Sequence, residues 1–104
     1  MDDEENPRVL LREYFKSIRD NFYSDWSKRR EGFVKTSNGI AVFLGLLSRI
    51  AMREPPDKLN RDTFDKYLRR LKGTRWSSYS YQGLTSEGDR WEAIKKLSKK
   101  MRLD

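Results

Sequence analysis

The sequence predicts a mainly α-helical fold: a compact bundle of about four helices, with one short two-stranded β element as an optional addition. Apolar side chains recur at intervals of three and four residues in several segments, which is the spacing of one face of a helix. Helix-capping residues precede these segments, and proline or glycine follows two of them. The chain has 104 residues, a length that suits a single domain.

Two regions of opposite charge divide the chain. Residues 1–6 contain the acidic run DDEE and are expected to form a disordered tail, whereas residues 7–104 are expected to fold as one helical domain. The formal net charge is +7, and because the acidic run contributes −4, the remaining residues carry +11. Such a charge favours anionic partners, namely nucleic acid, an acidic protein or an anionic membrane surface.

The first helix is predicted to begin at Pro7, because Asn6 suits the N-cap and proline suits the first helical position. Apolar residues at three- and four-residue intervals then indicate one buried face. These residues are Leu10, Leu11, Tyr14, Phe15, Ile18 and Phe22.

The segment after this helix breaks the apolar period and is predicted to be a loop. Trp26 is expected to pack from this loop back onto the core. Phe33 and Val34 are candidates for a very short strand, and a small hairpin with the segment near residue 79 would complete the β element.

The apolar segment 38–52 predicts a central and buried helix, because its side chains are apolar almost all round the helix axis. One of the three polar residues at positions 36–38 is expected to cap its N-terminus. Pro55 and Pro56 end the helix, because neither residue can continue it and each restricts the residue before it.

Two further helices are predicted, separated by a loop with the sequence RWSSYSYQGLTSEGD. Asn60 is the expected N-cap of the third helix and Gly73 its left-handed C-terminal cap. Ser86 and Asp89 resemble a capping box at the start of the last helix. The predicted buried faces are Phe64, Tyr67, Leu68 and Leu71 in the third helix, and Trp91, Ile94, Leu97 and Met101 in the last.

The residue types present exclude several kinds of chemistry. The chain has no cysteine and no histidine, so thiolate nucleophiles, Cys- or His-based metal sites and histidine-dependent catalytic triads are absent. The glycines of YQGLTSEG lack the Lys-Ser/Thr ending of a phosphate-binding loop and fit a turn and helix cap better. Five carboxylates lie at helical spacing from Lys or Arg and are expected to form surface ion pairs: Glu13, Asp20, Asp62, Asp65 and Glu92. We therefore expect no enzyme activity, no cofactor and no metal.

Basic residues fall into three clusters, which begin at Lys28, at Arg69 and at Lys95. In the last helix, Lys99 and Lys100 each follow another lysine by four residues, so like charges face each other and favour an external anion. If the third and last helices share a surface, these cations can bind phosphates while nearby aromatic rings stack on bases. The candidate nucleic-acid-binding residues are Arg69, Arg70, Arg75, Trp76, Tyr79, Lys95, Lys96, Lys99 and Lys100.

Two other interpretations of these residues stay open. In the first, the aromatic residues pack on the core and the lysines only keep the protein in solution. In the second, the chain is a protein-interaction domain that uses its basic face to bind an acidic protein, or its exposed aromatic residues to form a homodimer. A separate apolar patch on the surface would support this second interpretation.

Three motifs occur in a recognisable order: LLREYFKSIRDNFYSDW, FVKTSNGIAVFLGLL and RWSSYSYQGLTSEGDRWEAIKKL. This order resembles the helical C-terminal region of the DGQHR-domain family. The matching positions are Tyr14, Phe15, Trp26, Lys35, Thr36, Gly39, Leu46, Leu47, Gly83 and Gly88. The resemblance implies a role in DNA-modification and defence systems of bacteria and archaea. The Asp-Gly-Gln-His-Arg signature is absent, so no activity attached to it is implied.

The expected location is the cytoplasm of a prokaryotic cell. The N-terminus is acidic and does not resemble a secretory signal, and no apolar stretch reaches the roughly 18 residues that a membrane span needs.

Overall fold

Helices make up most of the computed structural model, which describes residues 7–28, 32–76 and 79–103, without the side chains of residues 7, 79 and 80. In chain order the helices are α1 (Pro7–Asn21), α2 (Tyr23–Trp26), α3 (Ser37–Arg53), α4 (Arg61–Arg69), α5 (Tyr79–Gln82) and α6 (Glu87–Lys100). A 3-10 turn, Pro56–Lys58, lies between α3 and α4. The predicted mainly α-helical bundle is confirmed, and its four long helices are α1, α3, α4 and α6. The predicted acidic tail, residues 1–6, lies outside the described residues.

The predicted β element is wrong, since the described ranges contain no strand. Phe33 and Val34 lie in a bend and a turn, and their backbone N–H groups donate to Oδ2 of Asp25 over 2.8 and 2.9 Å. A carboxylate therefore takes the place that a neighbouring strand would have. Tyr79 begins the short helix α5, within a segment that was expected to be a loop.

The helix boundaries follow the predicted capping chemistry. The N-cap side chains of α3, α4 and α6 each accept a hydrogen bond from the backbone N–H three residues later: Thr36 from Gly39 (3.0 Å), Asn60 from Thr63 (3.1 Å) and Ser86 from Asp89 (3.1 Å). Asn6, the predicted N-cap of α1, lies outside the described residues. At the other end of α4, Gly73 has a φ of 89°, the left-handed conformation that favours glycine. α3 ends at Arg53, two residues before Pro55.

The core forms where two helix pairs meet, α1 with α4 and α3 with α6. The Tyr14 hydroxyl is buried and donates to the Phe43 carbonyl oxygen over 2.5 Å, which joins α1 to α3. Fully buried side chains come from all four long helices: Tyr14, Ile18, Phe43, Leu46, Ile50, Phe64, Leu68 and Leu97. Together these side chains join the four long helices in one core.

Several residues predicted to be buried lie at the surface. In α1, Leu11 is 38% exposed, so the buried face is centred on residues 14, 18 and 22. In α3, which was expected to be buried on all sides, Ile40, Leu44 and Met52 are 40%, 42% and 86% exposed. Trp91 of α6 is 53% exposed. α3 packs against α6, and the described elements leave Ile40, Leu44 and Met52 of α3 partly or largely uncovered.

Candidate nucleic-acid interface

The C-terminal ends of α4 and α6 meet at one hydrogen bond. Arg70, the C-cap of α4, donates from Nη1 to the carbonyl oxygen of Met101, the C-cap of α6, over 2.7 Å. The last carbonyl groups of a helix have no donor within the helix and carry partial negative charge. The arginine supplies this missing donor from another helix. As a result, two basic clusters that lie far apart in the sequence are adjacent in space.

The backbone at the end of α6 leaves the Met101 carbonyl available to Arg70. The N–H of Arg102 donates to the Lys99 carbonyl (3.1 Å) and the N–H of Leu103 donates to the Ser98 carbonyl (3.0 Å). This pair of bonds is a Schellman motif, in which the residue after the cap adopts the left-handed conformation. Arg102 has a φ of 60°, a conformation that costs a residue other than glycine roughly 1 kcal/mol.

Five cations surround this meeting point, and we call them the basic junction: Arg69, Arg70, Lys99, Lys100 and Arg102. All five residues are exposed. Within the described part of the chain, none of the five forms an ion pair with a carboxylate. The helix termini partly stabilise these charges, because cations are favoured near helix C-termini. The basic junction therefore concentrates positive charge at one place on the described surface.

The end of α3 also reaches the basic junction. Arg53, the last residue of α3, donates to the Leu103 carbonyl oxygen at 3.4 Å. Next to it, Glu54 accepts a hydrogen bond from the Tyr67 hydroxyl over 2.6 Å and lies 3.5 Å from the Lys66 ammonium. The Tyr67 hydrogen bond holds the pKa of the Glu54 carboxyl below its ordinary value. This carboxylate is thus already engaged by its own neighbours in the chain.

The other predicted lysines of α6 lie on the same helix surface as the basic junction. Lys95 and Lys96 are exposed, whereas Ile94 and Leu97 are buried, which confirms that the lysines point away from the core. Lys95 lies 3.8 Å from Glu92 in an ion pair, so its charge is partly offset. Glu92 also precedes Lys96 by four residues, but its ion pair forms with Lys95, three residues away.

Arg75 and Trp76 do not join the basic junction. Arg75 lines a separate cleft of about 400 Å³ together with Lys28 and Lys72. Trp76 is only 5% exposed, and its ring stacks on Phe33 with 5.6 Å between centroids and an interplanar angle of 3°. The prediction that Trp76 stacks on a nucleic-acid base is therefore wrong, because the core already contacts its ring. The side chain of Tyr79, the other predicted stacking residue, lies outside the described part of the chain.

Three of the five carboxylates form the predicted ion pairs at helical spacing, namely Glu13, Asp65 and Glu92. Asp20 pairs instead with the adjacent Arg19 and with Arg61 of α4, and no ion pair of Asp62 is found among the described residues. Arg61 Nη2 lies 2.6 Å from Asp20 Oδ2, and Arg61 Nε lies 3.0 Å from Asp65 Oδ1. Glu13 lies 3.8 Å from the Lys16 ammonium. Among the residues that the structure describes, no group of three or more acidic side chains is placed to hold a metal ion. These pairs hold carboxylates at fixed positions on the surface.

No protein-family model, no curated protein and no solved structure matches this chain.

The described helices include none that combines the length and apolarity needed to cross a lipid bilayer.

Sequence reasoning missed Arg102 as a site residue, although it identified the cluster that contains it. The sequence around position 102 gives no indication that the backbone of Arg102 adopts the left-handed conformation. Lys28 and Lys72 were also left out of the candidate site, although both belong to the basic clusters of the sequence. Lys72 lies three residues before Arg75, whereas the tertiary fold brings Lys28 beside it.

Proposed function

We propose that this chain is a non-enzymatic nucleic-acid-binding module that holds the sugar-phosphate backbone at the basic junction. The hydrogen bond from Arg70 to the Met101 carbonyl is the main support for this proposal, because it brings the basic clusters of α4 and α6 onto one surface. The sequence predicts phosphate binding only if these two helices share a surface. Guanidinium groups suit phosphate oxygens in particular, since their fork of donors matches two oxygens at once.

The conformation of Arg102 supports a role for the charge at this position. Glycine would adopt the same φ of 60° without strain, whereas arginine there lowers the stability of the fold by roughly 1 kcal/mol. Strained residues in proteins concentrate at functional sites. A cation at a position that favours glycine therefore fits a surface that binds anions.

The proposal includes a setting, the cytoplasm of a prokaryotic cell, within a DNA-modification or defence assembly. The resemblance to the helical region of DGQHR-domain proteins supports it. Several of the matching residues, such as Tyr14 and Leu46, are buried, so they bear on the fold more than on the binding surface. The basic junction is the part of the chain on which the proposal depends.

The test is a titration of labelled single- and double-stranded DNA and RNA, followed by fluorescence anisotropy at several salt concentrations. If all five cations of the basic junction contact phosphates of duplex DNA, the logarithm of the association constant falls with the logarithm of salt concentration with a slope of about −4.5. The decisive variant carries Arg69→Gln, Lys99→Gln and Lys100→Gln. Arg70 is left intact in it because it caps α6.

A matched control removes the same number of charges from exposed positions elsewhere: Arg12→Gln, Lys35→Gln and Lys58→Gln. We expect the junction variant to lose at least about tenfold more affinity than the control and to have a shallower salt slope. If both variants lose the same affinity, the loss depends only on net charge, and the basic junction is not the binding site.

A further inference from the structure

An apolar groove of about 700 Å³ runs along the line where α3 and α6 pack together. Gly45 lies at its floor, and a Cβ atom at this position would lie 2.5 Å from Cδ1 of Ile94. The absence of a side chain at Gly45 is thus what lets the two helices approach this closely. Met52 and Trp91 line the groove on opposite helices.

Two of the exposed large hydrophobic side chains in the described residues line this groove. Met52 of α3 is 86% exposed and Trp91 of α6 is 53% exposed. The lining residues of α3 run from Gly45 to Arg53, about 12 Å at the rise of an α-helix. Exposed apolar side chains that converge on one groove mark an interaction site more often than a solvated face.

The charges around the groove identify the occupant. α3 contains no acidic residue, and its two arginines, Arg49 and Arg53, line the groove. The Arg49 guanidinium lies 5.9 Å from the centre of the Trp91 ring. A complementary partner therefore combines an apolar stripe with negatively charged flanks.

We infer that the groove binds an amphipathic acidic helix of another protein. About two turns of helix match the length of α3 that lines the groove, with apolar anchors at i, i+4 and i+7. Met52 suits such a role, since its flexible thioether side chain adapts to the shape of an incoming residue. A second copy of this chain is disfavoured, because it would bring another cationic α3 against the cationic rim.

This interaction is separate from nucleic-acid binding. Its contacts come from the apolar side chains of α3 and from Trp91, none of which belongs to the basic junction. The two surfaces adjoin only near Leu103, which lines the groove and whose carbonyl accepts from Arg53. Variants of Trp91 therefore test the groove alone.

The experiment uses a synthetic helical peptide of about 14 residues, with leucine at i, i+4, i+7 and i+11 and glutamate and alanine elsewhere. Its binding to the full chain is followed by anisotropy and by chemical shifts of the protein amides. One control peptide has the same composition in scrambled order, and another has lysine in place of glutamate. We expect the acidic amphipathic peptide to bind at least about tenfold more tightly than either control.

Trp91→Ala and Met52→Ala should each weaken peptide binding by about fivefold or more, whereas Tyr23→Ala, at a 63% exposed aromatic residue outside the groove, should leave it unchanged. Circular dichroism verifies that all variants fold. Equal binding of the scrambled peptide, or an unchanged affinity of the Trp91 variant, would overturn the inference. Preferential binding to vesicles of anionic phospholipid, or self-association that Trp91→Ala abolishes, would assign the groove to a different occupant and overturn it as well.

Discussion

Val34 donates its backbone N–H to Oδ2 of Asp25 over 2.9 Å, although the two residues are nine positions apart. Phe33 donates to the same oxygen over 2.8 Å. Asp25 is 6% exposed, and within the described residues its other carboxylate oxygen has no hydrogen-bond partner. One carboxylate thus positions the turn whose side chains, Phe33 and Val34, lie in the core.

Removing this carboxylate should destabilise the fold. Asp25→Ala leaves two backbone N–H groups without their acceptor, each of which costs about 1–3 kcal/mol when buried. We expect a net loss of about 2 kcal/mol in the free energy of unfolding, because the variant also removes a buried charge. Asp25→Asn keeps an acceptor and should cost less. Urea unfolding measures both, and an Asp25→Ala loss no larger than that of the exposed control Asp62→Ala would contradict the prediction.

Two glycines in helices should respond oppositely to alanine. At Gly45 a new Cβ meets Ile94 Cδ1 at 2.5 Å, and forcing such a contact into a packed interface costs about 1–3 kcal/mol. At Gly88 the nearest atom is the Ser86 hydroxyl oxygen at 3.8 Å, so Gly88→Ala should stabilise the chain by about 0.5 kcal/mol through helix propensity. Thermal unfolding distinguishes the two. If the cost at Gly45 arises from this contact, adding Ile94→Val should recover part of it.

Local chemistry explains which parts of the fold could be predicted. The N-caps Thr36, Asn60 and Ser86 each bond to an N–H three residues away, so a short stretch of sequence contains both partners. The turn at Phe33 could not be predicted in this way, because its acceptor, Asp25, lies eight residues earlier. The two apolar residues Phe33 and Val34 suggested a strand, because the sequence does not show that their backbone N–H groups donate to a side chain.

The candidate site was only partly predictable for a similar reason. The lysines of α6 were identified from their spacing, but their link to Arg70 depends on a hydrogen bond between residues 31 positions apart. The exposed side chains of α3 posed the reverse problem. An apolar pattern indicates that Leu44 and Met52 prefer burial, but it does not tell whether a neighbouring element covers them.

The chain should lose stability in acid through Asp65. Burial raises the pKa of this carboxyl, but hydrogen bonds from Ser17, Arg61 and Asn21 together hold it below its ordinary value. A carboxyl with a lower pKa in the folded state stabilises that state fully above its unfolded pKa, about 4, and this contribution is lost as pH falls through the folded value. The urea concentration at the midpoint of unfolding should therefore decrease as the pH is lowered below about 4. Asp65→Asn should lower the urea midpoint at neutral pH, and the midpoint of this variant should depend less on pH in acid. If the midpoint of the variant decreases in acid as much as that of the natural chain, Asp65 is not the cause of the acid sensitivity.

Replacing Arg102 should separate stability from binding. Arg102→Gly relieves the left-handed strain at a φ of 60°, so the free energy of unfolding should rise by about 1 kcal/mol. The same variant removes one cation of the basic junction, so the salt slope for duplex DNA should become shallower by about 0.9 and affinity at low salt should fall. Arg102→Lys keeps both the charge and the strain, and it should resemble the natural chain in stability and in slope. Urea unfolding and anisotropy on the same preparations provide both readouts. If Arg102→Gly gains stability with unchanged DNA affinity and slope, the cation at position 102 has no part in phosphate binding.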